Sequence, residues 1–189
     1  MSDVKRILVT GAAGKVGQAF IARLLGSSAE RFDGFVVRAL CHHRKLDPGP
    51  RLELVTGSIE HRETSELAVA GATHVLHLAT SKETPDSIMD VAVKGMFWLL
   101  EACRESPTFE QFILVGGDAA LGHFSYPHRN PVTEAQGHTA YPGCYALSKV
   151  LEEVMLEQYG IQYDLKRMTD AAWDYQRPAD EPRVVWYPG

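Results

Sequence analysis

Tyr145 and Lys149 stand four residues apart in Tyr145-Ala146-Leu147-Ser148-Lys149. The apolar spacing around them predicts a helix from Tyr145 to about Tyr159. On a helix this spacing stacks the two side chains on one face. An unperturbed tyrosine, with a pKa of about 10, is almost wholly protonated at neutral pH. An ammonium a few ångströms away stabilises the phenolate and makes the proton easier to exchange. Such a tyrosine can act as general acid or base toward a substrate hydroxyl or carbonyl, and the lysine can also hydrogen-bond a cofactor ribose. The same pair arises by accident on many helices, so its meaning depends on what the rest of the chain supplies.

A second stretch could hold such a cofactor: Arg6-Ile7-Leu8-Val9-Thr10-Gly11-Ala12-Ala13-Gly14-Lys15-Val16-Gly17. It reads as a buried strand, a glycine turn and a helix start. One glycine permits the sharp turn, one lets backbone approach a ligand, and one lets the helix pack on the strand. The helix start offers unpaired N–H groups and a positive dipole end, which suit a phosphate. Gly11, Ala13, Gly14, Lys15, Val16 and Gly17 are therefore cofactor-binding candidates. The spacing is G-x-x-G-x-x-G, not the commonest dinucleotide fingerprint, and a glycine-rich turn without a ligand has the same pattern. Its place after a strand near the start of the chain favours nucleotide binding.

These residues must be positioned by a framework, and the periodicity predicts one. After a helix over Lys15 to Leu25, strands are expected at Phe35 to Cys41, Leu52 to Thr56, His74 to Leu78 and Phe112 to Val115. A sixth strand is expected at about Gln162 to Lys166. A short helix around Thr64 to Ala70 and a long one from Pro85 to about Cys103 alternate with them, and a polar loop runs from Gly116 to Gly143. Apolar strands alternating with helices make a doubly wound parallel α/β sheet the economical fold. Ligands of such sheets lie beyond the strands' carboxyl ends. That crevice would gather the glycine turn, the residues after Cys41, Ser58 with Ile59, Leu78 with Ala79 and Thr80, and Gly116-Gly117-Asp118. At the second strand end a carboxylate would bind a ribose 2′-OH and repel a 2′-phosphate. Here Cys41 is followed by His42, His43, Arg44 and Lys45, which favours NADP over NAD; a solvated basic loop is the plainer reading.

The whole chain has 189 residues, 45% hydrophobic and 23% charged, which bounds it to one globular domain with an appendage at most. A net charge of −5 argues against nucleic-acid or membrane-surface partners. No apolar run reaches transmembrane length and no leader precedes the first strand, so a cytoplasmic protein is expected. Three scattered cysteines suggest reduced thiols, not a disulfide frame. No paired His or Cys spacing supports a metal site.

Taken together, these features resemble the extended short-chain dehydrogenase/reductase family of NAD(P)-dependent epimerases and dehydratases. The resemblance is carried by Thr10 to Gly17, His77-Leu78-Ala79-Thr80, Val93-Lys94-Gly95, Pro131-Val132-Thr133-Glu134, and Tyr145 through Lys149 with Glu152 or Glu153. It covers about residues 4 to 167. It implies a Rossmann-type fold with a nicotinamide cofactor, a tyrosine acid/base, a lysine on the nicotinamide ribose, and hydride transfer at a sugar-like or small carbonyl carbon. It also implies a homodimer through the long helix and the active-site helix.

The departures from that pattern are specific. The family's serine or threonine after the fifth strand falls at Gly117. Asp118 beside it is a catalytic candidate, but an ionised carboxylate only accepts hydrogen bonds, so it helps only if protonated or bridged by water. The acidic residue that reads adenine falls at Ser58, and the asparagine of the long helix at Ala92. A Rossmann domain over 1–167 would be followed only by a short extension over 168–189, containing Trp173, Tyr175, Trp186 and Tyr187, where the family carries a substrate domain. The alternatives to an active enzyme are therefore a weak or inactive cofactor-binding sensor, or a truncated remnant.

Overall fold

The computed structural model describes residues 4–28, 32–81, 84–128 and 136–163, and the backbone of 168–170. The strands are β1 (Lys5–Thr10), β2 (Phe35–Cys41), β3 (Leu52–Thr56), β4 (His74–His77), β5 (Gln111–Leu114) and β6 (Met168–Asp170). They form one parallel sheet in the order β3-β2-β1-β4-β5-β6. The chain builds outward from β1 on one side, then crosses over and builds outward from β4 on the other. The direction of winding thus reverses between β1 and β4, which opens a crevice at their carboxyl ends. The helices are α1 (Lys15–Leu25), α2 (Arg62–Val69), α3 (Pro85–Ile88), α4 (Gly95–Glu105) and α5 (Cys144–Gln162). A π-helical segment, Met89–Lys94, joins α3 to α4 in one continuous rod.

Side chains alternate across each strand, and the alternation divides the core in two. Leu8, Val75, Phe112 and Leu114 face Val69 of α2, Met96, Leu99 and Leu100 of α4, and Leu156 of α5. Val9, Val37, Ala39 and Leu76 face the opposite layer, where Ile21 and Leu24 of α1 cover them. Both faces of the sheet are therefore apolar, which is why the strands read as continuous hydrophobic runs instead of an alternating pattern.

The first five strands and the helices lie where the periodicity predicts, to within a few residues. The sixth strand does not. It was expected at about 162–166, but α5 continues through Gln162 and β6 occupies Met168–Asp170, with Met168 opposite Phe112. The helix was expected to end at about Tyr159, just before Gly160. In the fold Leu156 and Tyr159 keep the helix's apolar stripe buried, and the Tyr159 hydroxyl donates to Glu101 Oε1 of α4 at 2.7 Å. These anchors carry the helix past the glycine. Three residues assigned to the extension, 168–170, thereby join the sheet. Pro131 to Glu134 and the rest of the extension, including Trp173, Tyr175, Trp186 and Tyr187, lie outside the described residues.

Candidate cofactor and active site

The glycine turn is shaped by close approaches of backbone. Gly11 has φ +64°, a conformation glycine adopts without a steric penalty. A Cβ there would also lie 2.7 Å from the Leu78 carbonyl oxygen and 2.9 Å from Ala79 N, so the turn rests on the end of β4. The Gly14 N–H donates to the Gly11 carbonyl at 2.9 Å, and the Gln18 side-chain amide donates to the Ala13 carbonyl at 2.8 Å. A Cβ on Gly17 would come within 2.6 Å of Gly11 O and 2.8 Å of Ala12 Cα, so the helix start is packed on the turn. No side chain caps α1 and no acidic residue lies in its first turn. Lys15 and Val16 are exposed there, Val16 at 59%. The first-turn N–H groups thus have no side-chain cap and stand beside an exposed lysine, an arrangement that fits a pyrophosphate.

Thr10, at the end of β1, ties this turn to β4. Its hydroxyl oxygen accepts from Leu78 N and Ala79 N, each at 3.1 Å, and lies 2.8 Å from His77 Nδ1. With two donors already on the oxygen, the hydroxyl hydrogen goes to Nδ1, which makes the neutral ring carry its proton on Nε2. His77 is fully buried, and Nε2 finds no hydrogen-bond partner among the described residues. Burial, and then the charge of Lys149, hold the imidazole at a pKa of about 3, so it is neutral in the folded protein.

Past β5 the site is made of side chains. Gly117 has extended backbone, φ −165° and ψ 147°. A Cβ at Gly117 would lie 3.9 Å from the Tyr145 hydroxyl oxygen and 3.7 Å from Lys149 Cγ, both ordinary contacts. The position matched to the family's hydroxyl residue is therefore the one that faces Tyr145 and Lys149, and it has room for a side chain. Asp118 opens a 3₁₀ turn, Asp118–Ala120, directly beyond it. Tyr145 is half-buried in the first turn of α5, and Lys149 Nζ lies 5.9 Å from its ring centroid. Lys149 is itself buried, and its Nζ donates to Glu152 Oε2 at 2.8 Å. Glu152 has no exposure, and burial pushes its carboxyl above the usual carboxylate range against the pull of Lys149.

The remaining candidates divide by burial. His42, His43 and Arg44 are exposed just past the end of β2, the two imidazole rings 3.8 Å apart, while Cys41 before them is buried. Leu78 and Ala79 are half-buried and Thr80 is exposed at the end of β4. Ser58 and Ile59 are buried beyond β3. The Ile59 side chain lies within 2.7 Å of where a Gly95 Cβ would be, so it packs on α4. Among the described residues there is no group of three His, Cys, Asp or Glu suited to a metal.

Three further side chains near the candidate site form polar contacts across the fold. Thr10 stands in the sequence as the polar end of an apolar strand and as the first residue of the glycine motif. Glu152 stands there as one of two carboxylates, Glu152 or Glu153, that accompany the Tyr145 to Lys149 motif. His138 lies 2.8 Å from Glu153 Oε2, and the loop that contains it is strapped to the 3₁₀ turn by Thr139 N to Ala120 O at 2.9 Å and Tyr141 N to Ala119 O at 3.0 Å. No local pattern announces that contact.

A doubly wound parallel sheet with a glycine turn at its switch point and a Tyr-x-x-x-Lys helix beyond β5 defines a Rossmann-type dehydrogenase scaffold. Residues 7–169 match the model of the NAD dependent epimerase/dehydratase family, and the chain belongs to that family. It is 26% identical over 194 residues to dihydroflavonol 4-reductase of Zea mays, covering 89% of this chain and 52% of that protein. It is 27% identical over 165 residues to tetraketide alpha-pyrone reductase 1 of Arabidopsis thaliana, covering 78% and 50%. Among solved structures, a variant of uronate dehydrogenase from Agrobacterium tumefaciens complexed with NAD superposes with a TM-score of 0.70 at 28% identity, covering 84% of this chain and 57% of that one. The dTDP-glucose 4,6-dehydratase of Bacillus anthracis shares the fold, with a TM-score of 0.74 at 21% identity over 88% of this chain and 54% of that one. The chain thus spans about half the length of the curated relatives it matches. No helix among the described residues is long and apolar enough to cross a membrane.

Proposed function

We propose that this chain is the cofactor-binding and acid/base part of an NAD(P)-dependent oxidoreductase or epimerase/dehydratase acting on a sugar-like or small carbonyl or hydroxyl substrate. The observation that carries the reading is the convergence of the Tyr145 hydroxyl and Lys149 on Gly117, two strands along the sheet from the glycine turn and its uncapped helix start, with only β4 between them. In this reading Gly11, Gly14 and Gly17 hold the pyrophosphate by backbone, with Ala13, Lys15 and Val16 beside it. Leu78, Ala79 and Thr80 line the passage past β4, and Ser58 and Ile59 contribute backbone near the adenine. A bound nicotinamide supplies or accepts hydride. Tyr145 gives a proton to the substrate oxygen during reduction, or takes one during oxidation. Lys149 directs donors at the ribose and lends its charge to the phenolate.

His42, His43 and Arg44 support a preference for NADP, because this strand end bears cationic groups and Cys41 stands where a carboxylate would exclude the 2′-phosphate. A homodimer belongs to the same reading. Leu147, Val154 and Ile161 form an exposed stripe at seven-residue intervals on α5, and Phe97 is exposed on α4. Gly117 favours a second reading, a cofactor-binding sensor with little turnover, because no hydroxyl faces Tyr145 from that position.

Calorimetric titration with NADH and NADPH tests the first claim, and binding of neither overturns it. Turnover of a carbonyl panel with the bound cofactor, lost in Tyr145→Phe while affinity is kept, supports the enzyme. Binding without turnover in both proteins supports the sensor.

A further inference from the structure

α5 carries two consecutive carboxylates past Lys149, and they have different surroundings. Glu153 pairs with His138 on the adjoining loop at 2.8 Å, and its Oε1 lies 2.6 Å from where a side chain on Gly116 would begin. Glu152 turns inward. It has no exposure, its Oε2 is 2.8 Å from Lys149 Nζ, and its Oε1 finds no hydrogen-bond partner among the described residues. Lys149 has a side-chain exposure of only 6%, so both charges sit where water cannot solvate them freely.

We propose that Glu152 is a positioning residue for Lys149: by pairing with Nζ inside the fold it fixes the direction of the ammonium and leaves two N–H donors for the ribose diol of a bound nucleotide. The inference rests on the cofactor reading above. An ammonium has three donors and no acceptor. Glu152 takes one, and a ribose diol offers two hydroxyl oxygens for the others. The lysine stem is long and has many rotamers, so an ammonium held in place beforehand avoids ordering it when the nucleotide arrives. Without a buried partner, the same ammonium would turn outward or give up its proton. Its bearing on Tyr145 and on the ribose would change together.

Two variants separate this role from packing. Glu152→Gln keeps the shape and removes the charge, and Glu152→Asp keeps the charge and shortens the reach. In titrations with NADH and NADPH, Glu152→Gln is expected to bind about tenfold or more weakly, a loss of the size of one charge-assisted contact. Glu152→Asp is expected to recover part of that loss, although the methylene it deletes leaves it melting no higher than Glu152→Gln. A packing residue gives the reverse order, with Gln like the parent and Asp worse, and that order overturns the proposal. Thermal melts of the cofactor-free protein give a second readout. Lys149→Met added to Glu152→Gln should restore stability lost in Glu152→Gln alone, because no unpaired buried charge remains. A double variant no more stable than Glu152→Gln overturns the pairing, and this readout stands even if Glu152→Gln is too unstable for titration. If the parent protein binds neither cofactor, the cofactor reading falls and this inference with it. If the parent binds and Glu152→Gln binds equally well, this inference alone falls.

Discussion

At the carboxyl ends of β1 and β4 the site is built from backbone, and at the end of β5 it is built from side chains. In the first half Gly11 and Gly17 sit so close to Leu78, Ala79 and Ala12 that a single added carbon would overlap main-chain atoms. In the second, a carbon added at Gly117 meets Tyr145 and Lys149 at ordinary distances. A half defined by backbone contacts holds a ligand common to many proteins and tolerates almost no change in its own residues. A half defined by side chains can lose one chemical group without disturbing its shape. The family's holding function and its reacting function can therefore part company in this chain, and Gly117 is where they would.

The largest expected effect tests the backbone half. Gly17→Val places a branched side chain 2.6 Å from Gly11 O and 2.8 Å from Ala12 Cα and O, atoms fixed by the sheet and the turn. A loss on the order of 4 kcal/mol in unfolding free energy is expected, with cofactor binding abolished. Chemical denaturation with an unchanged m-value reads the loss. A variant as stable as the parent would mean that the turn yields, and the contrast between the halves would break.

The next effect is a gain, in the side-chain half. Gly117→Ser needs no unusual backbone, since φ is −165°, and its Cβ has room. It sets a hydroxyl beside Tyr145. Restoring one positioned donor is expected to raise kcat on the order of a hundredfold, about 3 kcal/mol, with cofactor affinity unchanged. Single-turnover assays over a carbonyl panel measure it. If binding is intact and no substrate gains, the missing hydroxyl is not what limits this half.

The same contrast explains what the sequence revealed. The glycine turn was legible because backbone geometry dictates residue type: only glycine fits where Gly11 and Gly17 lie. The sheet was legible because both its faces are buried, so its strands stand out as apolar runs. Tyr145 and Lys149 were visible because both lie on one helix, and Gly117 because it follows closely on the fifth apolar run. What stayed hidden depends on contacts far apart in sequence. Thr10 reaches His77 and the two residues after it across 67 to 69 positions, and the Tyr159–Glu101 bond that prolongs α5 spans 58. The packing of the Ile59 side chain on Gly95 of α4 joins residues 36 positions apart in the same way.

Thr10 offers a smaller and cleaner test of the backbone half. Thr10→Val preserves shape but leaves Leu78 N, Ala79 N and His77 Nδ1 without the hydroxyl they share, in a fully buried position. A cost of about 2 kcal/mol is expected, with Thr10→Ser losing well under half of it. Paired thermal melts decide. Equal losses would assign the role to the threonine's methyl group and not to its hydroxyl.

His77 lies where the two halves meet, with Thr10 on one ring nitrogen and the charge of Lys149 acting on it from β5's side. The unfolded chain takes up its proton near the ordinary histidine value of 6.5, whereas the folded ring resists until about 3. Between those values the unfolded state binds more protons, so stability rises with pH there. His77's contribution is complete above pH 6.5 and declines as pH falls toward 3, by about 1.4 kcal/mol per pH unit across the window. Urea melts from pH 7.5 to 5 should show this slope in the parent and its loss in His77→Phe. The same slope in both would mean that water reaches the imidazole and that the junction is open. Lys149→Met should leave this slope in place and only shorten the window at its acid end, because burial is the larger cause and Lys149 the smaller. A complete flattening would make the side-chain half, not the packing around β4, the keeper of the neutral ring.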